Sequence, residues 1–152
     1  MDFKLIILTF IVTAAWDVVL RVMSLNYEKL PKYFQMDFVE YLIPYFKQHT
    51  VLAAALIAGF VGATTQPIIL SIMPFPQSIF DITYVSKFMI LSFIVSALYG
   101  FIMKWSQLFP HLVTHYYDKL GVTRSMYTDG VSGLVVQTTL LIIYNLCGQL
   151  KK

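Results

Sequence analysis

The sequence predicts an all-α membrane protein with four transmembrane helices, arranged as two tandem two-helix repeats. Three observations predict it. The 152 residues are 58% apolar and only 12% charged, whereas a soluble domain carries about 25% charged residues. Four apolar stretches reach or approach the roughly 20 residues that a helix needs to cross a bilayer. Two short sequence patterns recur in the same order in both halves of the chain.

The repeat is carried by two pairs of matching segments. Residues 8–14 read Leu-Thr-Phe-Ile-Val-Thr-Ala and residues 91–97 read Leu-Ser-Phe-Ile-Val-Ser-Ala, with five identical positions and two exchanges of Thr for Ser. Residues 59–66 and 130–137 both read G-x-x-G-x-x-x-Q. We therefore predict that a rotation of about 180° around an axis near the membrane normal relates the two halves.

Each half contains two predicted spans. The first half covers residues 1–75 and the second covers residues 76–152. Pro74 and Pro76 end the second span and begin a tight turn into the third. The predicted spans cover, in order, about residues 3–25, 51–73, 85–103 and 125–147.

Two long connectors leave the predicted bundle on the same membrane face. Residues 26–50 are dense in Tyr and charge, with room for one short helix. Apolar residues recur at helical spacing over residues 109–120, which predicts an amphipathic helix in the membrane interface between the third and fourth spans. The connector face carries six Lys and Arg residues against four on the opposite face. This excess favours connectors that face the cytoplasm.

Six polar or charged residues are predicted to face the bundle interior, because lipid penalises them at membrane depth. Asp17 and Arg21 lie one turn apart, so we expect an intrahelical ion pair, with Lys104 as a further partner of Asp17. Asp129 begins the fourth span on the same side of the membrane. These charges form a neutral cluster that holds the helices in register or, alternatively, lines a polar path. The predicted network consists of Asp17, Arg21, Lys104, Asp129, Gln66 and Gln137.

The glycines of the repeated pattern mark the predicted helix-packing faces. Because glycine has no Cβ, these positions let neighbouring backbones approach closely within a membrane. The glutamine at the end of each pattern is expected to hydrogen-bond across helices rather than to bind a ligand. The predicted packing residues are Gly59, Gly62, Gly130 and Gly133.

The sequence lacks the motifs of common enzyme classes. No G-x-S-x-G, H-E-x-x-H or Walker loop is present, and no run of Lys and Arg indicates nucleic-acid binding. His111 and His115 share a helix face at a spacing that can bind a metal. With three histidines in the whole chain, we favour interfacial side chains on the amphipathic helix. We therefore expect no enzymatic activity, catalytic residue, cofactor or metal.

The connectors are longer than the 2–8 residues that helix–helix connections usually take. We interpret them as a surface that binds a shell or scaffold protein or another copy of the chain through tyrosines. An aromatic belt that touches lipid headgroups is the alternative interpretation. The leading functional hypothesis is a structural or scaffolding integral membrane protein. A small transporter or channel component with a polar intramembrane path is the alternative. The predicted contact residues are Tyr27, Tyr33, Tyr41, Tyr45, Tyr116 and Tyr117.

Two segments also carry a family resemblance. Residues 127–137 read Tyr-Thr-Asp-Gly-Val-Ser-Gly-Leu-Val-Val-Gln and residues 52–62 read Leu-Ala-Ala-Ala-Leu-Ile-Ala-Gly-Phe-Val-Gly. Together they resemble small multi-helix membrane proteins encoded by large DNA viruses, which are internal-membrane or capsid-associated components. The resemblance covers the second and fourth spans. It implies a multi-pass protein of a host or virion membrane, with connectors that contact a capsid protein.

Overall fold

The computed structural model of the protein describes residues 3–106 and 121–149, which fold into helices joined by short turns. The predicted amphipathic helix between the third and fourth spans lies outside these residues. The described helices are α1 (Phe3–Leu25), α2 (Asp37–Tyr41), α3 (Ile43–Gln48), α4 (Val51–Ile72), α5 (Ile82–Ser106) and α6 (Val122–Gln149), with 3₁₀ turns at Tyr27–Lys29 and Lys32–Phe34.

Four of the described helices are long and apolar enough to cross a membrane: α1, α4, most of α5 and most of α6. The four predicted spans are confirmed, although α5 and α6 each begin three residues earlier than predicted. Large apolar side chains such as Ile11, Phe60 and Ile94 are exposed on these helices. A surface of this kind is consistent with a multi-pass membrane protein, in which lipid covers the outer faces of the bundle.

Side-chain caps and a proline turn set the ends of the central helices. Thr50 is the N-cap residue that precedes α4, and its hydroxyl accepts a hydrogen bond from the backbone N–H of Ala53 at 3.3 Å. Asp81 precedes α5, and its carboxylate accepts from the backbone N–H of Tyr84 at 3.0 Å. Both contacts satisfy a helix N–H that has no partner within the helix. The Tyr84 hydroxyl also donates to the carbonyl of Pro74 at 2.9 Å, which fixes the turn between α4 and α5.

The long helices pack as two pairs, α1 with α4 and α5 with α6. In the first pair, two glycines of α4 lie directly against α1. A Cβ added at Gly59 would come within 2.9 Å of the ring of Phe10, and a Cβ at Gly62 would overlap the side chain of Thr13. Gly62 is the more tightly constrained position, because a Cβ there would meet the Cβ of Thr13 as well as its hydroxyl, so a larger residue would push the two helices apart.

The second pair makes the same contacts with the equivalent residues of the repeat. A Cβ at Gly130 of α6 would come within 2.6 Å of the ring of Phe93, and a Cβ at Gly133 would overlap the side chain of Ser96. In the repeated sequence pattern, Phe93 and Ser96 of α5 occupy the places of Phe10 and Thr13 in α1. The four glycines thus lie at the helix contacts that the sequence predicts for them.

The first connector folds back onto the bundle instead of extending away from it. The Ser24 hydroxyl near the end of α1 donates to the carbonyl of Val39 in α2 at 2.8 Å. The guanidinium of Arg124 at the start of α6 lies 4.5 Å from the centre of the Tyr41 ring, a cation–π contact. The connector therefore joins the first helix pair to the second. Its buried apolar residues are Phe38, Val39, Leu42, Tyr45 and Phe46.

Toward the chain termini, the bundle interior is closed by apolar packing. The Phe75 ring, in the turn after α4, contacts Phe88 of α5 and Tyr144 of α6 edge to face, at centroid distances of 5.5 and 5.4 Å. Ile69 and Leu140 are almost completely buried in the same cluster. The end of the described bundle near the termini is therefore filled by apolar side chains, while Asp17 and Asp129 lie nearer the connectors.

Candidate functional site: a cavity beneath the first connector

A cavity of about 480 Å³ lies between α1, α4 and α6, with the first connector over it. The connector lines the cavity with Phe38, Leu42 and Tyr45. The helices line it with residues that include Ala58 of α4 and Ser132 of α6. Its volume is within the range of small-molecule sites, which are typically 300–1,000 Å³ and mostly apolar with a few placed polar groups. We refer to it below as the connector cavity.

Asp17 of α1 supplies a carboxylate to the connector cavity. Its Oδ2 atom is buried and has no hydrogen-bond partner. An acidic residue within a membrane span is costly and usually has a function, commonly in a substrate or ion pathway. A buried oxygen without a partner adds to that cost. Asp17 is therefore the polar residue of the site that most clearly indicates a function.

The positive charge of Arg21 acts on Asp17, but the buried Oδ2 atom of Asp17 accepts no hydrogen bond from it, so the predicted ion pair stays a prediction. The guanidinium of Arg21 instead donates to the backbone carbonyl of His49 at 2.7 Å. It also lies 5.9 Å from the centre of the Phe46 ring. His49 follows the last residue of α3, where helix carbonyls lack partners and attract cations. The connector thus binds the cation that was expected to neutralise Asp17.

A second carboxylate of the connector cavity comes from α6. Asp129 lines the cavity, and its Oδ2 atom lies so close to Gly100 of α5 that a Cβ there would overlap it. In the repeat, Gly100 corresponds to Asp17 and Asp129 corresponds to Ala58. In the repeated sequence pattern, one pair therefore has its acid on the first helix and the other pair has its acid on the second helix.

The phenol of Tyr45 lies near both carboxylates. Burial is the main reason that the pKa of Tyr45 is raised above its usual value. The negative charges of Asp17 and Asp129 raise that pKa further, while Arg21 opposes the shift. Tyr45 is therefore a neutral phenol at physiological pH, and it contributes no charge to the cavity.

Two further buried polar groups line the connector cavity without hydrogen-bond partners. These are the hydroxyl of Thr128 and the amide oxygen of Gln137, and both residues are at most 2% exposed. The amide nitrogen of Gln137 donates to the amide oxygen of Gln66 in α4. This interhelical bond, which the sequence predicts, joins the two halves through equivalent residues of the repeat. It leaves one acceptor on Gln137 free within the site.

Two more polar contacts cross between the helix pairs. The indole N–H of Trp16 in α1 donates to the hydroxyl of Thr139 in α6 at 2.9 Å. The hydroxyls of Thr64 in α4 and Tyr99 in α5 are 3.0 Å apart. Trp16 and Tyr99 are equivalent in the repeat, so each half uses the same aromatic position to contact the other half.

The predicted contact tyrosines have different environments. Tyr45 is only 5% exposed, and its ring stacks on His49. It is therefore unavailable to a partner, and its predicted role as a contact residue is corrected. The ring of Tyr41 lies beneath Arg124, Tyr27 is half-buried, and Tyr33 is 74% exposed.

Three of the predicted residues lie outside the described part of the chain. These are Tyr116, Tyr117 and the side chain of Lys104. Their predicted roles stay predictions.

Sequence reasoning missed several residues of the connector cavity. Thr128 adjoins Asp129, and a polar pair at the start of a span is a signal that could have drawn attention to it. Phe38 and Leu42 are four residues apart, which places them on one face of a helix. That spacing could have predicted a buried face for the connector, but the segment is too short for a clear helical period.

The described residues contain no group of three or more His, Cys, Asp and Glu side chains that could bind a metal ion. Comparisons with protein-family models, with curated proteins and with solved structures found no match. The candidate site is a mostly apolar cavity that contains two carboxylates and two further polar groups that lack hydrogen-bond partners.

Proposed function

We propose that this protein binds a small amphipathic molecule inside its transmembrane bundle, as a transporter component or carrier. Asp17 carries the proposal, because its buried Oδ2 atom lies in the connector cavity without a hydrogen-bond partner. An intramembrane acid with an unsatisfied oxygen supports a site in which a ligand supplies the missing hydrogen bond. The volume of the cavity and its mixture of apolar walls with a few polar groups support the same function.

The folded connector gives a second line of support. A connector of this length is unnecessary for joining α1 to α4. In this protein its buried residues cover the cavity, and its α3 end binds the guanidinium of Arg21. We infer that the connector serves as a lid over the ligand and accepts a hydrogen bond from Arg21 that Asp17 would otherwise accept.

Retention of the ligand tests this function directly. Native mass spectrometry of protein extracted with its own lipids should show a bound small molecule on the wild type. Ala58→Phe places a ring inside the cavity and should reduce the bound fraction at least tenfold, because the ring overlaps the space that the ligand occupies. Leu56→Phe on the exposed face of α4 is the matched control, and it should bind as the wild type does. A wild type without bound molecules, or unchanged binding by Ala58→Phe, would overturn the proposal.

We also propose that the bundle arose by internal duplication and has a pseudo-twofold axis near the membrane normal. The support is the matched set of contacts on the two sides. Gly62 and Gly133 each pack against the equivalent hydroxyl residue of the neighbouring helix. Gln66 and Gln137 contact each other across the proposed axis. A ligand site beside such an axis is typical of transporters that are built from repeats.

A structural or scaffolding role is a second candidate, favoured by the exposure of Tyr33 and Phe34. Tyr33 is 74% exposed and Phe34 is 44% exposed, at the end of a 3₁₀ turn on the connector face. Exposed aromatic residues are common anchors of protein interfaces. The partner would be a shell protein or another copy of this chain, and a virion membrane would be the setting that the sequence resemblance implies.

Site-specific crosslinking tests the scaffolding role. A photoreactive residue at position 33, in the native membrane, should capture a defined protein partner or a second copy of the chain. The same residue at position 72, which is on the exposed face of α4, should capture only lipid. Recovery of lipid alone from both positions would exclude the role for this surface.

A further inference from the structure

We propose that the ligand of the connector cavity is a protonated amine with an apolar body, and that Asp17 binds its ammonium group. This inference rests on the ligand-binding function proposed above, and it assigns the chemical class of that ligand. It is carried by the charge of the site, by its unpartnered polar atoms and by their positions along the bundle.

The charge of the site favours a cation. Asp17 lines the cavity, and the guanidinium of Arg21 donates to the carbonyl of His49. Tyr45 is a neutral phenol. The charge of Arg21 acts on Asp17, but the buried Oδ2 atom of Asp17 accepts no hydrogen bond from it. An anionic ligand would therefore meet a carboxylate in a medium of low dielectric constant, and the repulsion would exclude it.

The unpartnered atoms favour a hydrogen-bond donor. Oδ2 of Asp17 is an acceptor, and the Thr128 hydroxyl can also accept. A protonated primary amine carries three donors and no acceptor. A hydrogen bond from an ammonium to a carboxylate is charge-assisted, and it is about twice as strong as a bond between neutral groups. Asp17 is therefore the group that would bind the charged end of the ligand.

The positions of these groups define the orientation of the ligand. Thr13 packs against Gly62, and Asp17 lies one helical turn beyond Thr13 toward the connectors. Gln66 lies one turn beyond Gly62 in the opposite direction, where it contacts Gln137. At a rise of 1.5 Å per residue, Asp17 and the Gln137 amide are about 12 Å apart along the bundle. The apolar body of the ligand would occupy the space between them.

Trp16 allows binding at this site to be measured. It lines the connector cavity, and Trp105→Phe would make it the sole tryptophan of the chain, which has two. The probe is 4-(4-bromophenyl)butylamine, which is protonated at pH 7 and whose bromine quenches indole fluorescence. The neutral comparison is 4-(4-bromophenyl)butan-1-ol, which has the same apolar body. Both are titrated into Trp105→Phe protein in nanodiscs of neutral lipid.

We expect saturable quenching, with half-saturation at a tenfold or more lower concentration for the amine than for the alcohol. Asp17→Asn should raise the half-saturation concentration of the amine at least tenfold and change that of the alcohol less than twofold. Asp37→Asn, at the exposed start of α2, is the matched control. It removes the same charge from the connector surface and should leave both values unchanged.

The remaining outcomes separate this inference from the function on which it rests. Equal saturation by amine and alcohol, or an Asp17→Asn variant that binds the amine as the wild type does, would overturn the assignment of the ligand class and leave ligand binding intact. Quenching that rises linearly with both probes indicates partition into lipid alone. That result would overturn the ligand class and the proposed function together.

Discussion

Gly62→Leu and Gly133→Leu are each expected to lower the free energy of unfolding by about 3 kcal/mol. In both helix pairs, the glycine lies where even a Cβ would overlap the hydroxyl side chain of the neighbouring helix, Thr13 or Ser96. A leucine there forces α4 away from α1, or α6 away from α5. The packing that substitutes for the hydrophobic effect between membrane helices is then lost. The measurement is unfolding by SDS in mixed micelles, followed by tryptophan fluorescence.

Exposed positions on the same two helices provide the controls. Ser71→Leu on α4 and Thr138→Leu on α6 add apolar volume to faces that are exposed in the bundle, so they should change stability by less than about 0.5 kcal/mol. Similar losses for Gly62→Leu and Gly133→Leu would also support the proposed duplication. A loss in one half alone would show that the two helix pairs pack differently. Wild-type stability for both variants would contradict the described helix contacts.

The four spans could be predicted from the sequence because apolar length reports directly on the thickness of the bilayer. The contact between Gln66 and Gln137 was also predictable. A buried amide in a membrane helix requires a partner, and the repeat places the two amides at equivalent positions. These features depend on local composition and spacing, which the sequence contains in full.

The hydrogen-bond partner of Arg21 could not be predicted in the same way. Its spacing from Asp17 places both residues on one helix face, and that relation is real. The decisive partner is the carbonyl of His49, which follows a six-residue helix and is 28 residues away along the chain. Every residue has a backbone carbonyl, so the sequence does not show which one is available as an acceptor. Its availability depends on how the connector folds back, which is a tertiary property.

The burial of the first connector could not be predicted from the sequence either. Its tyrosines were interpreted as outward anchors because Tyr is common at interfaces. Tyr45 is instead buried with Phe46 and stacks on His49. The helices α2 and α3 have five and six residues, so each completes fewer than two turns. Such short segments have no resolvable hydrophobic period, and the buried face appears only when the fold is known.

Asp17→Asn is expected to raise the free energy of unfolding of the ligand-free protein by about 1–3 kcal/mol. Asp17 is half-buried, and we propose that its buried, unpartnered Oδ2 atom is kept for a ligand. Asparagine has nearly the same shape and removes the charge that the protein leaves unsatisfied. Arg21 should be unaffected, because it is bonded to the carbonyl of His49.

The most direct test of this claim is the SDS unfolding of Asp17→Asn in mixed micelles after delipidation, compared with the wild type and with the surface control Asp37→Asn. We expect Asp17→Asn to unfold at a higher SDS fraction than the wild type, while Asp37→Asn matches the wild type. If Asp17 and Arg21 formed a buried ion pair, loss of the acid would strand the cation and destabilise the protein by about 3–5 kcal/mol. A destabilised Asp17→Asn variant would therefore contradict the proposed role of Asp17.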